Sequence, residues 1–175
     1  MRKTQHGFTL PELLTAMAII AILAAIAVPT LRQFSASSRT TAANNSLVSA
    51  LALARSEAVR RSTPVTVCAS TDSASCVAGG GPTDWSTGWI AFMDVNANGA
   101  FDAGSDQLLQ AWSAPGATVS VSSTQNLLTY NPRGMMNLGT AITFKTSAQG
   151  CRGLNQTQVV VTVSGSPQNT HIACP

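Results

Sequence analysis

Charge is scarce in this chain: only 10% of its 175 residues are Asp, Glu, Lys or Arg, and histidine occurs twice. No CxxC pair is present and no Ser-His-Asp set stands out. His171 falls in a terminal strand pattern, and the aspartates fall in loop patterns. Catalysis therefore has little to rest on, a metal site lacks its usual ligand spacing, and we expect no enzyme, no cofactor and no bound metal. Aromatic residues make up 5%, and there is no internal repeat. Trp85, Trp89 and Trp112 can line a groove, but in a β domain with few aromatics tryptophan more often anchors the core.

The net charge of +3 dissolves on inspection. Arg2 and Lys3 precede the first apolar run, and Arg32, Arg39, Arg55, Arg60 and Arg61 belong to the helical stretch that follows it. Beyond residue 63 only Arg133, Lys145 and Arg152 face Asp72, Asp84, Asp94, Asp102 and Asp106, leaving that part formally at −2. The sequence pI of about 8.9 belongs to the stem and does not describe a basic, nucleic-acid-binding head.

What the chain does have is residues 7–29, GFTLPELLTAMAIIAILAAIAVP, behind the basic start MRKTQH. Between Leu13 and Val28 only Thr15 is polar, and residues 8–28 match the roughly 20 apolar residues that span a bilayer as a helix. Glu12 is out of place there, since a carboxylate in hydrocarbon costs on the order of 2.5–3.5 kcal/mol. A secretory signal peptide, with AAIA near its end, and a plain anchor oriented by Arg2 and Lys3 are two readings of this segment. Neither explains Glu12. A cationic amino terminus beside it would.

Gly7, Phe8 and Thr9-Leu10-Pro11-Glu12-Leu13-Leu14 closely resemble the leader of type IV pilins. The resemblance implies cleavage after Gly7 by a prepilin peptidase and methylation of Phe8. It also implies that Glu12 meets the amino terminus of a neighbouring subunit during assembly. Pro11 departs from the isoleucine of many major pilins, and is harmless in a first turn. Pro29 is pilin-like and is expected to kink or loosen the helix. The implied organisation is a leader at 1–7, a transmembrane half-helix at 8–29, an amphipathic half-helix at 30–63 and a head at 64–175.

In the second half-helix Leu31, Phe34, Leu47, Leu51, Ala54 and Ala58 recur at three- and four-residue steps, which marks one face for burial. Pro64 ends it. Arg55 and Glu57 read as a solvated helix face. From Val65 the pattern turns to strands at 65–69, 88–94, 107–113, 118–122, 127–131, 141–145, 158–163 and 170–174, each bounded by turn formers. The GGGP at 79–82 reads as an exposed loop. The fold class is α+β, with a long amino-terminal helix packed on an antiparallel β-sheet head. Residues 52–68, ALARSEAVRRSTPVTVC, are similar to the GspH/FimT group of minor pilins and pseudopilins, as is the stretch from Trp89 to Gly99.

Cys68, Cys76, Cys151 and Cys174 all lie beyond the apolar run, where an oxidising periplasm would pair them. Three pairings are open, and proximity favours Cys68–Cys76 and Cys151–Cys174. Asp94-Val-Asn96-Ala-Asn98-Gly99 matches the first half of a calcium loop, but the twelfth position is Ser105, and a hairpin tip is the favoured reading. Some FimT-like pilins bind DNA through a basic GRxR-type motif. Here the turn at 165–171 keeps its glycine and lacks both arginines, so a DNA role rests on Arg133, Lys145 and Arg152 converging in space.

The resemblance as a whole implies a minor pilin of a type IV pilus, supporting assembly initiation, a tip complex, twitching or adhesion. A type II secretion pseudopilin and a DNA receptor for transformation are the alternatives. Other major and minor pilins, the prepilin peptidase and the inner membrane are the expected partners, with DNA less favoured. The protein is expected in the inner membrane as a single-pass subunit and then in a surface filament.

Overall fold

The computed structural model describes residues 9–78 and 83–174. Gly7, Phe8 and the GGGP loop therefore lie outside the described residues. Among the described residues a single α-helix, α1 (Leu10–Arg61), runs for 52 residues, about 78 Å at 1.5 Å per residue. Thr9 is extended and makes no side-chain cap; Pro11 occupies the first turn, where its missing N–H is not needed, and Glu12 stands beside the positive end of the helix. The helix is continuous across Pro29. Thr30 Oγ1 donates to the Ala27 carbonyl at 2.8 Å, one turn back. Ser62 closes the helix in the left-handed conformation (φ 52°), and Pro64 prevents its continuation.

Residues 9–35 are exposed throughout. Burial begins at Ala36 and recurs at Thr40, Ala43, Asn44, Leu47, Ala50, Leu51, Ala54 and Ala58, an almost unbroken three- and four-residue rhythm. Leu31 and Phe34, expected on this stripe, are instead 64% and 74% exposed. They stand three residues apart, but at about 100° per residue both point roughly 150° away from the stripe that starts at Ala36, and Phe34 shares its side with Ser38, Thr41 and Asn45.

Among the described residues the head has nine strands: β1 (Val65–Ala69), β2 (Thr83–Asp84), β3 (Gly88–Met93), β4 (Gln107–Ser113), β5 (Val119–Ser123), β6 (Leu127–Tyr130), β7 (Ile142–Ala148), β8 (Gln156–Val161) and β9 (Pro167–Ile172). They form two antiparallel sheets, ordered β4-β3-β1-β6 and β2-β5-β7-β8-β9. The two-residue β2 has no alternation to announce it. β7 extends three residues past the expected end because Thr146 and Ala148 keep the inward alternation, and β9 begins at Pro167, a position open to proline at the start of an edge strand.

Both sheets pack against α1. Val65, Val67 and Ala69 of β1 cluster with Ala91, Leu128 and the helix stripe, while Phe144, Val159 and Val161 supply the second sheet's share. Trp85 and Trp89 are fully buried in this core, and Trp85 stands edge-on to Phe144 at 5.0 Å between ring centres. The other face of β1 and β3 (Cys68, Ile90 and Phe92) forms a smaller core with Phe101 and Leu127. Because β1 is covered on both faces, all five of its residues are buried. Disulfides join Cys68 to Cys76 and Cys151 to Cys174, with Cα atoms 5.5 and 5.8 Å apart.

Candidate functional site

Glu12 lies on the exposed first turn of α1 among the exposed Leu10, Leu13 and Leu14. Among the described residues it takes part in no ion pair. A carboxylate placed in an apolar stretch with no counter-charge among the described residues requires one from elsewhere or remains a cost.

The candidate DNA cations are not brought together. Arg133 is in the turn after β6, next to Gly134, which packs beneath Arg55 and Val59 near the far end of α1. Arg152 follows β7 and borders Val28, Pro29 and Thr30. Those two levels of the helix are roughly 40–45 Å apart at 1.5 Å per residue. Lys145 is on the outward face of β7, opposite Ser122 and Gln158.

Arg55 is no solvated side chain. Its Nε donates to the Gly134 carbonyl (3.0 Å), one terminal nitrogen to the Ser164 carbonyl (3.1 Å) and the other to Ser166 Oγ (3.3 Å). It therefore ties the turn after β6 to the turn before β9. Gly165 (φ 79°) lies directly on the Gly134 backbone, where a Cβ would collide with the Gly134 carbonyl oxygen. The glycine at this turn is thus needed for packing. Glu57 receives Arg60 and Arg61 at 2.6 Å each, and these bonds hold its carboxyl below the usual range. Arg61 also donates to Gln107 Oε1.

The Asp94–Asp106 loop is organised by its own amides. Asp94 is buried, and it accepts Asn98 N–H at 3.0 Å, Gly99 N–H at 2.9 Å and the Thr66 hydroxyl at 2.9 Å. Asp106 accepts Val95 and Asp102 N–H. The side-chain amides of Asn96 and Asn98 both donate to Asp102, lowering its pKa. A cation would have to displace these donors, and among the described residues no group of three or more His, Cys, Asp or Glu is arranged to hold a metal. His171 is an exposed residue of edge strand β9.

Sequence reasoning missed two features. Arg55 was visible within ARSEA, but its reach across 79 and 109 residues to two turns has no local signature. The second is a set of arginines at the foot of the head. Arg32, Gly150 and Arg152 border one cleft beside the helix; Arg32, Arg39 and Gln149 border the next.

Residues 43–166 match the family model described as Type II transport protein GspH, and residues 2–28 match the Prokaryotic N-terminal methylation motif. The fold is similar to that of the Pseudomonas aeruginosa type IV minor pilin FimU in two crystal forms. One has a TM-score of 0.56 at 20% identity, over 74% of this chain and 91% of that one. The other has 0.52 at 20% identity, over 83% and 90%. No curated protein sequence matches the chain.

Proposed function

This chain belongs to the GspH family, and from that premise we propose that it is a non-catalytic minor subunit of a type IV pilus. The prepilin peptidase cuts after Gly7 and Phe8 becomes the methylated first residue. Residues 8–29 then hold the protein in the inner membrane as a single span, with the head outside the cytoplasm. On assembly the same segment enters the filament among other pilins, Glu12 meeting the cationic terminus of a neighbour, and the subunit helps to initiate or cap the pilus.

The observation that carries this reading is the helix itself. Its apolar first half is exposed throughout, yet it is continuous with a stripe buried in the head. A helix of that kind needs a second apolar environment, and a bilayer followed by a filament core supplies one in each state. Intact-mass and fragment-ion spectrometry of protein purified from cells tests the processing step. A methylated Phe8 at the terminus is the expected result; a terminus near Ala27 would mean an ordinary signal peptide.

The description of the family as type II transport favours a pseudopilin as the second reading. Deleting the pilus assembly machinery separates the two: a pilus subunit stops reaching the cell surface, whereas a pseudopilin continues to support secretion. A DNA receptor is the least supported role, because Arg133 and Arg152 sit at opposite ends of the packed helix.

A further inference from the structure

We propose that the foot of the head is a binding surface for anionic phospholipid headgroups, engaged while the subunit waits in the membrane. This rests on the anchoring proposed above. A cleft of about 370 Å³ lies between α1 and the segment after β7, bordered by Val28, Pro29, Thr30, Arg32, Gly150 and Arg152. Val28 is the last residue of the uninterrupted apolar run, so the cleft opens at the level where the span leaves hydrocarbon. Arg39 lies two turns beyond Arg32 on the same side of the helix and is steadied by a 2.9 Å hydrogen bond to Thr118 Oγ1. Among the described residues no acidic side chain borders this cleft or the adjoining one, and none of Arg32, Arg39 and Arg152 is in an ion pair.

The loop that carries Arg152 is fixed in place. Cys151 is bridged to Cys174, Cys174 N–H donates to the Gly153 carbonyl at 2.9 Å, and the Asn155 side-chain amide donates to the Arg152 carbonyl at 2.6 Å. At its tip Leu154 is 66% exposed. A stapled loop with a free guanidinium and a bare leucine, held beside the end of a span, has the two groups an interface needs. The arginine fork matches a phosphodiester, and the aliphatic side chain enters the headgroup–acyl boundary.

The test uses the full-length chain in mixed micelles containing equal amounts of phosphatidylglycerol and phosphatidylethanolamine, with retained lipids identified by native mass spectrometry. The wild type should keep phosphatidylglycerol in roughly 25-fold excess, the product of two arginines. The exposed pair Arg32→Gln/Arg152→Gln should bring the two lipids to near parity, at on the order of fivefold per arginine, while Arg152→Lys keeps most of the preference. Equal retention by the wild type, or an undiminished preference in the double variant, overturns the proposal. So does a double variant that keeps its lipid preference but fails to enter filaments, which would assign the cleft to an acidic surface of a neighbouring subunit. Resistance of the chain to alkaline extraction from membranes is scored separately, so failure of the anchor and failure of the headgroup site read differently.

Discussion

Residues 10–35 and 36–61 of α1 are one helix in two surroundings, and their side chains run opposite to a soluble protein's habit. The first half leaves Leu13, Ile19, Ile22, Leu23 and Ile26 more than half exposed, whereas the second buries mainly alanine. Small residues let the helix lie close on two sheets at once, which suits a single defined partner. Large flexible aliphatics suit a partner that has no fixed shape, as lipid does, or one that arrives later, as a neighbouring subunit does. Stability of the head therefore belongs to the second half of the helix, and assembly to the first.

Matched substitutions should separate the halves. Leu47 is completely buried, so Leu47→Ala is expected to lower head stability by about 2–5 kcal/mol, while Leu23→Ala leaves it unchanged; denaturant unfolding followed by tryptophan fluorescence reads both. A comparable loss from Leu23→Ala would end the division of labour. The next effect is in the core beneath the second half. Among the described residues the buried Tyr130 hydroxyl has no hydrogen-bond partner, and burial pushes its pKa up to about 12 against the opposing pull of Arg55. The folded state then resists ionisation that the unfolded chain undergoes from pH 10. Stability should hold below pH 10 and fall by about 3 kcal/mol as the pH passes to 12. Tyr130→Phe should flatten that fall without destabilising the head at neutral pH, and an unchanged slope would assign it elsewhere. A smaller effect is expected from enlarging the alanine stripe: Ala54→Leu should cost about 1–3 kcal/mol through overpacking, and Ala24→Leu nothing, in the same unfolding assay.

Much of this division is readable in the chain. The apolar run, the lone Glu12 and the terminator Pro64 act locally, and local signals survive into the fold. Strands such as β4 and β8 show themselves through composition and bounding turns. What the chain does not display are facts about distance. The partition into two sheets, the point at Ala36 where burial begins and the reach of Arg55 to Gly134 and Ser164 are set by how the elements close on one another. Leu31 and Phe34 stand three residues apart but on the side of the helix opposite the buried stripe, a matter of phase that local spacing alone does not show. The Asp94 loop shows the same limit at close range. Its D-x-N-x-N-G pattern fits half of a calcium loop and favours a turn, and the amide donors that fill it come from its own backbone.

The central claim is that the exposed half of the helix is an anchor first and an assembly interface afterwards, with Glu12 marking the second role. It is tested most directly by fractionating cells that express Glu12→Val and quantifying the protein in membranes and in sheared filaments. The account predicts normal processing and normal membrane levels with loss from filaments. Filaments containing the variant at the wild-type level would contradict it.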